Sequence, residues 1–147
     1  MAKEIERKFM VTDLSYTDLA SRSVHIMQGY LCRRPESTVR VRIAGDRAWL
    51  TVKGRNRGIE RDEWEYPIPP EDAQAMLGRC ADGNVIEKTR YYVPFGNLTW
   101  EVDRFAGNHE GLTVAEVELP CADCPIEFPP FIGEEVSGDP RYYNSNL

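Results

Sequence analysis

Charged residues recur in this chain at a spacing of two, with the sign segregated by stretch. Glu4, Glu6 and Lys8 alternate with Ile5 and Phe9. Arg40 and Arg42 alternate with Val39, Val41 and Ile43, and Thr51 and Lys53 with Leu50 and Val52. Glu63 and Glu65 flank Trp64, and Lys88 and Arg90 fall two apart. Glu101 and Asp103 flank Val102, and Glu116 and Glu118 flank Val117. Alternate residues of a strand share one face. A solvated strand face mixes Ser, Thr, Lys, Glu and Asn without sorting sign by strand, and so explains a single pair but not the set. If these faces share one lumen, the charges need water, one another, or ligands of both signs, because burying them dry is prohibitive. The chemistry that suits such a lumen is a polyanion carried with a divalent metal. Arginine forks and lysine point charges take phosphoryl oxygens. Carboxylates take hard cations such as Mg²⁺ or Mn²⁺.

The elements that must position these residues are mostly strands. They are expected over 2–11, 25–33, 38–44, 47–53, 60–67, 85–93, 98–105 and 112–119. Gly45-Asp46 suits a tight primed hairpin. Gly83-Asn84 and Gly96-Asn97 are further turns, and 54–58 is a basic, glycine-flanked loop. Thr12 and Asp13 predict a short capped helix over 14–20. Pro69-Pro70-Glu71-Asp72 opens a second helix, whose Ala73, Met76, Leu77 and Cys80 repeat at helical spacing. Residues 120–130 read as loop, and 133–147 as a short helix or strap. About eight strands joined by short turns predict an antiparallel sheet that closes or nearly closes. The fold class is α+β, mainly β, in one domain over 1–147. Strand phase also permits the inverse barrel, with charges outside and the apolar alternates filling the lumen. With the charges inside, helices such as 70–80 must cover the apolar outer face, and any uncovered remainder is a candidate homodimer surface.

Composition narrows the function. The 147 residues carry a net charge of −6 and a pI near 5.0, which disfavours nucleic acid as the main partner. No apolar run has the length of a membrane helix. The N-terminus lacks the apolar core of a signal peptide, so a cytoplasmic location is expected. In a reducing compartment Cys32, Cys80, Cys121 and Cys124 are expected to be free thiols. Cys121-Ala-Asp-Cys124 is a single C-x-x-C without a second half, read as a loop rather than a zinc or redox site.

Glu4-Ile5-Glu6-Arg7-Lys8 matches the E-x-E-x-K signature of the triphosphate tunnel metalloenzymes, or CYTH proteins. The chain also resembles their short bacterial members at Gln28-Gly29-Tyr30-Leu31, Val39-Arg40-Val41-Arg42, Thr51-Val52-Lys53 and Glu87-Lys88-Thr89-Arg90-Tyr91. The likeness continues at Glu116-Val117-Glu118 and Gly133-Glu134-Glu135-Val136, with Asp139 and Arg141-Tyr142. The resemblance implies an eight-stranded antiparallel closed tunnel that binds a triphosphate with Mg²⁺ or Mn²⁺. It implies phosphate contacts from Lys8, Arg40, Arg42, Lys53, Lys88 and Arg90, and metal ligands among Glu4, Glu6, Glu116, Glu118 and Asp103. Lys88 would stabilise leaving oxygens, and Tyr30 would bind the attacking water or pair with Lys88, with barrel packing as its alternative. Glu63 and Glu65 are ligands, arginine orienters or structural ion pairs, and Glu101 is a further accessory. Arg141 reaches the tunnel mouth or pins the tail. The implied reaction is hydrolysis of inorganic triphosphate to pyrophosphate and phosphate. The alternatives are adenylate cyclase, thiamine or nucleoside triphosphatase, and a non-catalytic polyphosphate- or nucleotide-binding module.

Overall fold

The computed structural model describes residues 3–147, so Ala2, the expected start of the first strand, lies outside the described residues. The strands are β1 (Lys3–Val11), β2 (Arg22–Arg34), β3 (Ser37–Ala44), β4 (Arg47–Gly54), β5 (Glu60–Ile68), β6 (Ile86–Phe95), β7 (Leu98–Phe105), β8 (Thr113–Glu118) and β9 (Ile132–Glu135). Their order is β5-β4-β3-β2-β6-β7-β8-β1-β9, and an additional β5–β1 pairing closes an antiparallel barrel of eight strands. Strand β1 closes it by splitting its pairing. Lys3, Glu4 and Ile5 face Asp62, Arg61 and Glu60 of β5, while Glu6 to Met10 face Glu118 to Val114 of β8. The β3–β4 turn runs through Gly45 at φ 61°, a conformation that favours glycine.

Register puts the charges on one side of the wall. Arg40 faces Thr51, Thr51 faces Glu65, and Lys53 faces Glu63. Arg90 faces Asp103, and Glu101 faces Glu116. Lys88 and Asp103 are both 0% exposed. That burial excludes the inverse barrel, because the charged faces line the interior.

The apolar alternates point outward and build the core outside the barrel. On one flank Phe9, Val102, Ala115 and Val117 pack with Trp100, Val93, Tyr16 and Phe131. On another, Val41 and Ala48 pack against Ala73, with Leu50, Ile68, Met76 and Leu77 around them. Each Val-sized side chain so buried contributes ~1.5–3 kcal/mol. The flank around Ala73 is covered by α2 (Pro70–Arg79), with Pro70 in the first turn and Ala73 buried beneath. Trp64 and Tyr66 on the outer face of β5 stay 43% and 56% exposed.

Gly29 sets how closely α2 lies. A Cβ there would stand 2.9 Å from Leu77 Cδ2 and 3.2 Å from Ala81 Cβ. Gly29→Val is expected to destabilise by ~1–3 kcal/mol by lifting the end of α2 off β2. An unchanged thermal midpoint would show that the helix can shift freely.

Several expectations need correction. The helix expected over 14–20 is only α1 (Tyr16–Leu19), four residues long. Asp13 takes the backbone N–H and hydroxyl of Ser15 in a turn of its own, and Ala20 is already extended. So short a helix is held by tertiary packing rather than propensity, and Tyr16 is fully buried against Tyr91 and Phe131. Strand β9 was not foreseen. It lies along β1, where Arg7 forms a forked pair with Glu135 at 2.8 and 2.6 Å. Cys121 and Cys124 are disulfide-bonded rather than free, because the turn between them brings their Cα atoms to 5.4 Å, within bridging reach. Cys32 and Cys80 are free. No helix among the described residues is long and apolar enough to cross a membrane.

Candidate active site

The barrel interior changes character along its length. At one end Tyr30, Ile86, Phe105 and Val114 form an apolar cluster with Met10, Leu112, Tyr142 and Leu147. Beyond it lies a cavity lined by Glu4, Glu6, Arg40, Arg42, Lys53, Glu63, Glu65, Arg90, Glu101, Glu116, Glu118 and Asn144. A second cavity shares Glu4, Glu6, Arg40, Lys53 and Asn144, and continues past Lys8, Tyr30, Thr38 and Arg61 beneath the C-terminal segment.

The cations have unlike partners. Asp103 accepts from Lys88 Nζ at 2.7 Å and from Arg90 Nε and Nη2 at 2.8 and 2.9 Å. Arg90 also lies 3.4 Å from Glu101. Lys53 donates to both oxygens of Glu4 at 3.0 and 3.1 Å and lies 3.4 Å from Glu63. Arg40 donates to Thr51 at 3.2 Å, and the Thr51 hydroxyl in turn donates to Glu65 at 2.7 Å. Lys8 donates to the Tyr142 carbonyl at 2.8 Å and lies 3.4 Å from Glu116. Arg42 differs from all of these. Its Nε donates to the neutral Gln28 Oε1 at 2.8 Å, and it forms no ion pair among the described residues.

Protonation follows from these environments. Burial pulls Arg42 down to about 9, helped by Arg40 and Arg90. Burial also lowers Lys88, to about 7, against the opposing attraction of Asp103. Burial would raise Asp103, but Arg90 and Lys88 outweigh it and hold the carboxyl at about 2. Glu116 is likewise held well below the usual range, because Lys8, Arg90 and Lys88 overcome its burial. Burial would lower Lys53 and Lys8, yet Glu4 and Glu116 respectively keep them above the ordinary lysine value. Glu6 goes the other way: burial and the negative charges of Glu116 and Glu4 push it well up. Glu63 rises to about 7 for similar reasons, burial first and Glu4 second. Burial and Glu4 also raise Glu118.

The structure thus brings Glu4, Glu6, Lys8, Arg40, Arg42, Lys53, Glu63, Glu65, Arg90, Glu101, Glu116 and Glu118 onto the walls of one lumen. Other expectations are redrawn. Asp103 is not free to ligate a metal as arranged, because both of its oxygens are taken by Lys88 and Arg90. Lys88 points inward with Arg90 but is fully buried on Asp103 and lines neither cavity, so it borders the lumen only through that carboxylate. Tyr30 does not pair with Lys88, which donates to Asp103. Its ring packs in the apolar cluster and borders the cavity beneath the C-terminal segment. Arg141 is exposed, pairs at 2.7 Å with Asp139 of its own turn, and lines neither cavity. Two participants escaped the sequence reading. Gln28 is neutral and alternates with apolar residues, and Asn144 sits in a tail without periodicity. The inward phase that Gln28 shares with Tyr30 was the available signal for the first.

The carboxylates have the chemistry of a hard-cation site. Glu116 Oε1 is buried with only the 3.4 Å approach of Lys8 Nζ and no hydrogen bond among the described residues, and burial with the charges of Glu116 and Glu4 pushes Glu6 toward its protonated form. A cation among them would relieve that repulsion. Among the described residues no group of three or more carboxylate, histidine or cysteine side chains is already drawn in around one point to hold a metal ion.

Comparison with known proteins gives a consistent picture. The CYTH domain matches residues 2–143 of the chain. An inorganic triphosphatase of Acetivibrio thermocellus is 48% identical over 147 residues, covering 100% of this chain and 94% of the relative. An inorganic triphosphatase of Nitrosomonas europaea is 38% identical over 149 residues, covering 98% of this chain and 95% of the relative. A crystal structure of an inorganic triphosphatase superposes with a TM-score of 0.66 at 33% identity, covering 99% of this chain and 94% of that one.

Proposed function

The chain belongs to the CYTH domain family, and from that premise we propose that it hydrolyses inorganic triphosphate to pyrophosphate and phosphate inside its barrel. The observation that carries this reading is the meeting of two charge sets across one lumen. Arg40, Arg42, Lys53 and Arg90 line the same cavity as Glu4, Glu6, Glu116 and Glu118. The two relatives of highest identity described above are both inorganic triphosphatases.

Phosphoryl transfer asks mainly for positioning and charge neutralisation. Arg42 supplies a guanidinium whose terminal nitrogens no carboxylate occupies, fixed in direction by Gln28. Arg90 is held rigidly by its two-pronged bond to Asp103 and presents its Nη1 toward Glu101 and the lumen. Arg40, anchored on Thr51, and Lys53, anchored on Glu4, take further phosphoryl oxygens. Mg²⁺ or Mn²⁺ fits the carboxylates Glu4, Glu6, Glu116 and Glu118, and when bound supplies neutralisation of the phosphoryl charge. Lys88 serves the reaction through Asp103, by helping Arg90 keep that carboxylate ionised.

The test is phosphate release from inorganic triphosphate, with ATP and thiamine triphosphate in parallel and with Mg²⁺, Mn²⁺ or EDTA. Cation-dependent turnover favouring triphosphate is expected. Cyclic AMP and pyrophosphate from ATP would replace the reaction while keeping the site. Tight triphosphate binding without turnover of any substrate would make the barrel a binding module.

A pH prediction accompanies the cation. Glu63 stands at about 7 in the fold against an ordinary value of 4.5, and Glu6 and Glu118 are raised as well. The folded state therefore holds more protons than the unfolded chain between about pH 5 and 7, and stability falls as pH rises through that window. The thermal midpoint of the EDTA-treated protein is expected to drop from pH 5 to pH 7, and Mg²⁺ or Mn²⁺ to restore more of it at pH 7. A midpoint that rises across this window in EDTA would contradict the crowded, protonated carboxylates.

A further inference from the structure

Gln28 is a neutral side chain in a charged barrel. It faces Arg42 on β3 and Ile86 on β6, and it is 0% exposed. Its Oε1 accepts from Arg42 Nε at 2.8 Å. A guanidinium only donates, so the amide has a single orientation in this bond and its Nε2 is left over. That Nε2 is buried and has no hydrogen-bond partner among the described residues. Neighbouring cations are treated differently. Arg90 has Asp103, Lys53 has Glu4, and Arg40 has Glu65 at 3.5 Å. A glutamate at position 28 has the same reach as Gln28 and accepts the same N–H, and it leaves no orphaned donor in the wall. It would also offset the environment of Arg42, where burial first, with Arg40 and Arg90, pulls the guanidinium down to about 9. For the fold alone a carboxylate answers both defects, yet the residue is an amide.

We propose that Gln28 is a positioning residue for triphosphate cleavage whose neutrality is its function: it steers Arg42 through Nε while leaving the whole charge of the guanidinium to the phosphoryl groups. This deepens the triphosphatase reading and rests on it. Gln28 lines neither cavity, so it acts through Arg42, which lines the charged one. With Nε held by the amide, the terminal nitrogens keep their N–H donors for oxygens of the substrate. A polyanion is drawn by positive charge that no protein carboxylate has already matched. A carboxylate at position 28 would match it at Arg42, which has no ion pair among the described residues. The phosphates would then compete with that carboxylate for the fork. The unpaired Nε2 is what the fold gives up to keep this cation uncommitted.

The experiment compares the full chain with Gln28→Glu, Gln28→Met, Arg42→Met and the double variant Gln28→Met/Arg42→Met. Turnover of triphosphate is measured with Mg²⁺, calorimetric affinity for triphosphate in EDTA, and urea unfolding for each protein. Gln28→Glu is expected to lower both kcat/KM and the metal-free affinity by about tenfold or more, with no fall in the urea midpoint. Gln28→Met is expected to lower kcat/KM about tenfold when Arg42 is present and less than about twofold when it is not, because an amide that acts through the guanidinium then has nothing to steer. A side chain that merely fills the wall would give the same factor in both backgrounds. The proposal is refuted if Gln28→Glu stays within about twofold of the full chain in kcat/KM and in affinity, or if Gln28→Met gives equal factors with and without Arg42. Should Gln28→Glu fail to unfold cooperatively, the methionine cycle decides alone. If the unaltered chain fails to hydrolyse triphosphate, the triphosphatase reading falls by itself. The affinities across the same variants then decide the role of Gln28 by the same criteria.

Discussion

Asp103→Ala should be the most destabilising single substitution in the lumen, at ~3–5 kcal/mol. The reason is the number of charges that rely on one carboxylate. Asp103 is fully buried and accepts from Lys88 and, with both oxygens, from Arg90. Removing it leaves an ammonium and a guanidinium buried side by side, with Arg90 keeping only the 3.4 Å approach of Glu101. Lys88→Met is the informative contrast. It removes a buried ammonium whose affinity for its proton burial has already lowered to about 7, and it leaves the forked Arg90–Asp103 pair intact. Its cost should stay below ~1 kcal/mol, since exchanging a buried charge for an apolar side chain of like volume is often neutral. The double variant should then be less destabilised than the sum of its parts, because Lys88→Met removes one of the two charges that Asp103→Ala strands. Urea unfolding of the three variants checks this. A cost for Asp103→Ala of under ~1 kcal/mol would mean that water reaches Lys88 and Arg90 once the carboxylate is gone. The pH sign agrees with the mutational one. With Asp103 held at about 2 against an ordinary 3.8, its stabilisation is complete at neutral pH and is lost only as pH falls from about 4 toward 2.

The barrel was legible because its strands carry period-two charge, and a charged face that is buried leaves a stronger imprint than a solvated one. Arg40 and Arg42, or Glu116 and Glu118, can occupy consecutive inward positions only if something fills the space between them, so one pattern announced both the strand phase and the lumen. Membership of the lumen was therefore readable from the sequence, but the partner of each charge was not. Lys88 and Arg90 look alike in sequence. Yet, although both point inward from β6, Lys88 lies beside Phe105 and is sealed onto Asp103, while Arg90 lines the charged cavity. Tertiary packing also made the short elements. Tyr16 orders a helix too short to form alone, and β9, in a stretch that reads as a short helix or strap, is set along β1 with Arg7 bound to Glu135. The neutral participants, Gln28 and Asn144, leave no electrostatic signature in sequence. They show themselves only in the fold, Gln28 as a buried amide beside a guanidinium and Asn144 on the walls of both cavities. The disulfide escaped for a different reason, since the cysteines were read from the expected compartment and not from the geometry of their turn.

Arg42→Met should separate activity from stability more sharply than any other change in the site. Turnover of triphosphate is expected to fall about 10²- to 10³-fold, the usual effect of deleting one preorganised donor to developing charge. Stability should stay within ~1 kcal/mol of the unaltered chain, because two effects oppose each other. Burial and the neighbouring Arg40 and Arg90 already pull Arg42 down to about 9, so its charge is carried at the expense of the fold. Methionine removes that strain and fills much of the same volume. Against this, Gln28 is 0% exposed, its Nε2 already has no partner, and it would lose the Arg42 Nε–H that its Oε1 accepts. Arg42→Lys is the second arm. It keeps a charge but not the fork that Gln28 orients, so it should recover little of the lost rate. Urea midpoints measured beside kcat and KM test both arms. If Arg42→Met lost more than ~3 kcal/mol of stability, or if Arg42→Lys restored most of the rate, the guanidinium would be a structural member of the wall. An inactive but stable Arg42→Met would mean that the fold tolerates a half-buried cation for its ligand, one that no carboxylate among the described residues pairs with.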